Sequence, residues 1–190
     1  MRLLLVLLAA LTVMPATAAQ ITTIFSGYGS GSLDGTPFTD VNFTVTLVGD
    51  TDTRVFFGNG YYVENSSTII DIDGLGSLVF TDPTTTFVNN QNQLAGFSQI
   101  GSDLYMGDGG AALDTYDLLT SIGPIFINAQ LLQWGAGIAT SGGNLIFSDS
   151  SNIEGSFEAI VGDPVPEPGS LALFGMGAIA VWVIRRRAIS

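Results

Sequence analysis

Residues 38–48 read FTDVNFTVTLV, with Val41, Phe43, Val45 and Leu47 alternating with Asn42, Thr44 and Thr46. A period of two puts the apolar side chains on one face of an extended strand and the polar ones on the other, which is the signature of a half-buried β-strand. No stretch of residues 20–163 sustains a helical repeat. Further strand candidates are residues 22–25, 54–57, 61–63, 67–72, 77–80, 85–88, 94–100, 103–106, 115–119, 125–129, 144–148 and 157–161. Turn signals separate them: Gly49-Asp50, Gly58-Asn59-Gly60, Asp73-Gly74, Asp82-Pro83, Gly109-Gly110, Gly123-Pro124 and Gly142-Gly143. Short strands at this spacing predict an all-β antiparallel sandwich or barrel, and the expectation is a jelly-roll-like β-sandwich. Residues 111–119 offer a brief helix as the alternative to a strand there.

The charge distribution excludes whole classes of function. Residues 20–163 hold 16 acidic residues against Arg54 alone, a formal balance of −15. Such a body repels phosphate backbones, so no nucleic-acid partner is expected. The chain has no His, no Cys and no Lys. Ser-His-Asp and Cys-His catalysis, lysine Schiff bases and zinc sites of imidazole or thiolate are therefore impossible within it. Carboxylate chemistry and oxygen-ligated cations survive this exclusion.

The two ends differ from the body. MRLLLVLLAALTVMPATAAQ carries one positive charge at Arg2, an apolar run over residues 3–13 and the small residues Ala16, Thr17, Ala18 and Ala19. That order predicts a secretory signal peptide over residues 1–19, cleaved after Ala18 or Ala19. Near the C-terminus, residues 171–184 are uncharged and are followed by Arg185, Arg186 and Arg187. Counted from Gly169, a helix to Ile184 would reach about 24 Å, a marginal span of a hydrocarbon core about 30 Å thick. The arginines would complete it as a stop-transfer signal by snorkelling toward cytoplasmic headgroups. A single transmembrane helix is the expectation, with the body exported. Just before it, Pro164, Pro166 and Pro168 surround Glu167 and bias Asp163, Val165 and Glu167 toward extended backbone, a form that suits a protease cleft or a stiff linker.

Val165-Pro166-Glu167-Pro168, the glycine-dotted apolar run with Phe174-Gly175-Met176-Gly177, and the terminal Arg-Arg-Arg together closely resemble the PEP-CTERM protein-sorting signal of Gram-negative bacteria. The resemblance implies recognition by an exosortase, a membrane cysteine protease or transpeptidase, through Pro166, Glu167 and Pro168. It also implies transient anchoring in the cytoplasmic membrane, then delivery to the cell surface or extracellular matrix of an exopolysaccharide-producing or biofilm-forming host. On this reading residues 1–19, 20–163 and 164–190 are signal peptide, ectodomain and sorting signal.

Within the ectodomain, Asp71 and Asp73 lie about 7 Å apart on one face of a strand end, a spacing found in glycosidase acid/base pairs. The same residues also read as a solvent face and an ordinary Asp-Gly turn. Asp50, Asp52, Asp71, Asp73, Asp103 and Asp108 offer hard oxygen ligands in loops, with Asp71, Asp73 and Asp108 the candidates for a structural Ca2+, yet none completes the twelve-residue calcium loop. No other cofactor is expected. GYGSGS at residues 27–32 and GNG at 58–60 lack the phosphate-loop lysine and read as flexible loops. Tyr28, Tyr61, Tyr62, Tyr105, Tyr116 and Trp134 either complete a core or include sugar-stacking surfaces. Tyr61 and Tyr62 must face opposite sides of a strand. The expectation is a non-enzymatic surface or matrix protein with a structural or adhesive role in exopolysaccharide. A carbohydrate-binding ectodomain and a carboxylate-dependent glycoside hydrolase are the alternatives.

Overall fold

A computed structural model describes residues 19–99 and 101–163. The expected signal peptide up to Ala18, the Pro166-Glu167-Pro168 motif, the apolar span and Arg185, Arg186 and Arg187 lie outside the described residues. Twelve strands occur among the described residues. They are β1 (Gln20–Leu33), β2 (Thr36–Asp50), β3 (Val55–Phe56), β4 (Gly60–Ile72), β5 (Gly76–Val79), β6 (Thr84–Asn89), β7 (Leu94–Gln99), β8 (Ser102–Asp108), β9 (Ile122–Leu131), β10 (Ile138–Thr140), β11 (Gly143–Phe147) and β12 (Ser150–Val161).

The pairings run β1-β12-β9-β8-β7-β6-β4-β2, and β2 pairs back onto β1. Eight antiparallel strands thus close into a barrel in which spatial order follows chain order. This corrects the jelly-roll-like sandwich. Alternation fixes which side chains face inward but not whether the sheet splits in two or meets itself. Here β1 is long enough to pair with β2 along most of its length, with β12 over residues 21–26 and with β11 over residues 31–33. The run GYGSGS, expected as a loop, lies inside β1. A Cβ at Gly29 would stand 2.8 Å from Leu131 and 2.9 Å from Phe147, so the glycine lets the strand pass against the core.

Eight strands enclose an interior that side chains just fill. Phe25 lies with its ring 5.0 Å from Phe157 and 5.7 Å from both Phe97 and Tyr105, and Phe43 stands 5.8 Å from Tyr105. Tyr105 crosses the interior from β8, and its hydroxyl donates to the Ser26 carbonyl on β1 at 2.7 Å. Elsewhere the filling is polar. Thr23 and Thr86 hydroxyls meet at 2.9 Å, Thr86 donates to Asn65 Oδ1, Asn65 Nδ2 donates to Thr84, and Thr84 meets Thr68 at 2.6 Å. Each group has a partner, so the network avoids the cost of burying unpaired polar atoms.

Both ends are stoppered. Beside residues 31–33 of β1, a second circuit of backbone bonds runs from β4 through β5 to β10 and β11, joined where Thr81 N–H donates to the Ala139 carbonyl and Ser141 N–H to that of Val79. Phe38, Leu78, Phe80, Trp134, Ile138, Leu145 and Phe147 are buried here. Trp134 packs 4.9 Å from Phe147 and donates its indole N–H to the Leu104 carbonyl at 2.8 Å. At the opposite end of β1, residues 109–121 fold over the barrel and bury Leu113, Tyr116 and Leu118. Asn90 Nδ2 holds that loop through the carbonyls of Leu113 and Tyr116. The strand expected at residues 115–119 is absent, and of the brief helix offered over residues 111–119 there is a single 3-10 turn at Gly110–Leu113.

Val45 is fully buried between its register partners Phe25 and Ile70. Val45→Asp places a charge with no partner in that interior and is expected to cost more than about 4 kcal/mol, seen as loss of the cooperative unfolding transition. Tyr105→Phe removes only the hydroxyl and should lower stability by about 1–2 kcal/mol in urea titrations with an unchanged slope.

Candidate functional site

Aromatic and threonine side chains fill the interior, and on the outer wall the cross-strand register sets rows of side chains. Tyr62 on β4 pairs with Phe87 on β6, Phe87 with Gly96 on β7, and Gly96 with Met106 on β8. Directly paired residues share a face, so these four form an apolar row across the wall. The next row, two residues along each strand and about 7 Å away, is polar: Glu64, Thr85, Ser98 and Asp103. A bulge in β8 makes this possible. Leu104 and Tyr105 are both buried, and the extra residue returns Met106 to the outer face in line with Gly96 while Asp103 stays opposite Ser98.

The two rows form a groove of about 270 Å³. Its walls include Phe57, Tyr62, Phe87 and Met106, and its polar groups come from Thr85, Asn89, Ser98 and Asp103. Gly96 lies beneath the apolar row, where a Cβ would run into the Tyr105 carbonyl and meet the Phe87 ring at 2.7 Å and Met106 at 2.9 Å, so the glycine lets those two side chains pack over the strand. Phe57 is delivered by the short hairpin of β3 and β4, whose turn is the Gly58-Asn59-Gly60 signal. Its ring centroid lies 6.3 Å from that of Tyr62 with the planes 37° apart. On the hairpin's other side, Arg54 lies 4.6 Å over the Tyr61 ring and bonds Asp117 at 3.0 Å, which ties the hairpin to the loop of residues 109–121. Thr85 and Ser98 hydroxyls bond one another at 2.6 Å. Partial burial raises the pKa of the Asp103 carboxyl above the usual carboxylate value.

The aspartates singled out from the sequence are dispersed. Asp71 accepts the Ser77 hydroxyl, Asp73 accepts Asn42 Nδ2 at 3.0 Å, and Asp108 accepts the Gly110 N–H at 2.8 Å. Asp50 accepts the Asp52 N–H at 2.8 Å. Asp50 and Asp108 each hold their own turn while Asp71 and Asp73 bond side chains of β5 and β2, and among the described residues no three acidic side chains converge on a metal-sized space. Of the aromatic candidates, Tyr105, Tyr116 and Trp134 are core, while Tyr28 is exposed on β1 and Tyr62 lines the groove. Burial drives the pKa values of the Tyr105 and Tyr116 phenols upward, with the Asp117 charge adding to the second. Phe57, Phe87, Met106 and Asn89 were not singled out from the sequence. Glu64 and Asp103 end the polar row three strands apart, about 14 Å, beyond the roughly 5–9.5 Å of glycosidase pairs.

Residues 164–187 match the family model of the PEP-CTERM protein-sorting motif. The match includes Pro166, Glu167 and Pro168 as well as Arg185, Arg186 and Arg187. No curated protein and no solved structure matches the chain.

A raised carboxyl pKa means that the folded protein binds the Asp103 proton more tightly than the unfolded chain, so this group's contribution to stability falls as pH rises through its folded pKa. Asp103→Asn should therefore melt higher than wild type at pH 7. The difference should close as pH is lowered below about 4, where the carboxyl is protonated in both states. Melting curves of the two proteins across that range measure it.

Proposed function

We propose that this chain is an exported cell-surface or matrix protein, sorted by an exosortase through its C-terminal motif, with a non-enzymatic structural or adhesive role in exopolysaccharide. The observation that carries this reading is the PEP-CTERM match at residues 164–187. The chain is anchored in the cytoplasmic membrane only until it is processed, and the body, with a formal balance of −15, is what remains at the surface.

The barrel suits a structural role. Its interior is occupied by its own buried aromatic and threonine side chains. A closed sheet also hides the strand edges on which exported chains otherwise aggregate, an advantage for a protein that cannot form disulfides.

Ala19 is part of the barrel, with its N–H donating to Thr51 Oγ1 at 3.2 Å and its carbonyl accepting from the Thr51 N–H at 3.0 Å. Cleavage after Ala18 preserves both bonds, so the mature N-terminus is expected at Ala19. Replacing Pro166, Glu167 and Pro168 with alanine should leave this first cleavage intact and block the second. Fractionation of an exosortase-encoding host should then show the triple variant in the cytoplasmic membrane and wild type at the surface or in the matrix. Identical fractionation of the two would defeat the sorting reading.

A further inference from the structure

We infer that the outer-wall groove binds the ring of a neutral pyranose, with an apolar ring face against Tyr62 and Phe57 and hydroxyls directed to Asp103 and Asn89. This rests on the adhesive reading above and names its ligand class.

The argument begins with the two rows. An apolar strip beside a polar strip about 7 Å away matches a molecule that is itself apolar on one face and polar around its rim, and a pyranose has that form: C–H groups on its faces, hydroxyls at its edge. A purely apolar occupant would strip water from Asp103, Thr85 and Ser98 without replacing it, at the cost of burying unpaired polar groups. A sugar hydroxyl donating to Asp103 instead makes a charge-assisted hydrogen bond in a partly dry site. The desolvation that already raises the carboxyl's pKa is then partly offset by the ligand.

Charge selects a neutral sugar. Arg54 is the one cationic side chain among the described residues, and it is held by Asp117 and Tyr61. Nothing in the groove can neutralise the carboxylate or phosphate of an acidic sugar, and Glu64 and Asp103 repel it. Size limits the occupant further. About 270 Å³ falls just below the usual range for small-molecule sites, enough for one ring of a chain that continues along the wall. Phe87 and Met106 are packed over Gly96 and the apolar row sits on paired strands, so the site is formed before the ligand arrives.

The test uses the full chain, purified in a detergent without a sugar headgroup, and neutral hexasaccharides of glucose, mannose and galactose beside an oligogalacturonate. Saturation-transfer NMR should show contact to ring C–H protons of at least one neutral oligomer and none to the anionic one. For that oligomer, calorimetry should give about tenfold weaker binding to Tyr62→Ala, a loss of about 1.4 kcal/mol, with Tyr62→Phe close to wild type and Asp103→Asn weakened. Tyr28→Ala, an exposed tyrosine outside the groove, should bind as wild type does. Far-UV spectra and melting temperatures of the variants show that the barrel is intact. No binding by any neutral oligomer overturns the inference, as does binding of the oligogalacturonate alone or an equal effect of Tyr62→Ala and Tyr28→Ala. The readout is binding by purified protein, so it stands or falls separately from where the sorting motif sends the chain.

Discussion

The structure depends on one closure, the pairing of β1 with β2 on one side and β12 on the other. Once eight strands meet in a ring, the size of the interior is set, and the side chains that face it must fill a fixed space. The Phe25, Phe97, Phe157 and Tyr105 cluster does so at one level, and the hydrogen-bonded threonines with Asn65 do so at another. The Tyr105 hydroxyl bridges strands that are not neighbours in the sheet, which adds a strut across the ring. Closure also supplies the cohesion of a chain with no cysteine and, among the described residues, a single ion pair: every barrel strand is paired on both sides, and the core is continuous from Tyr116 through Phe157 and Phe43 to Trp134.

A solid barrel moves recognition to the outside. In wider or emptier barrels the lumen is the binding site, whereas here the second circuit of β5, β10 and β11 and the loop of residues 109–121 seal both ends over apolar side chains. What distinguishes one part of the outer wall from another is the register of the sheet. The β8 bulge is the decisive detail, because it sets Asp103 and Met106, three residues apart, on the same face. Without it one of them would point into the core.

This also explains which features were legible in the sequence. Residues 43–47 were clear because their inward positions are all apolar and their outward ones hydroxylic. The strands at 61–63 and 67–72 appeared separate, but β4 is continuous. Its inward residues Asn65 and Thr68 are polar because they join the interior network, and they interrupt the apolar alternation. The glycines of β1 resembled a loop because glycine signals freedom in isolation, while here Gly29 serves a close approach that only the fold reveals. β10 was missed because its three residues, Ile138, Ala139 and Thr140, are too few to show a period. The groove was the least legible feature. Tyr62 was visible as a candidate, but its partnership with Phe87, Gly96 and Met106 exists only across strands, and no one-dimensional pattern records a register.

The ring order links the two ends of the described chain to the groove. The groove spans β4, β6, β7 and β8, and on an eight-stranded circuit the wall opposite its centre is the β1–β12 pair. These are the strands by which the chain enters at Ala19 and leaves at Asp163, and they remain bonded there, with Gly162 N–H donating to the Gln20 carbonyl at 2.9 Å. The chain therefore joins the barrel along one wall and carries its aromatic and acidic groove on the other. Strand order alone separates the groove from the two strands at which the described chain begins and ends, because four strands of an eight-strand ring carry the one and the facing pair supplies the other.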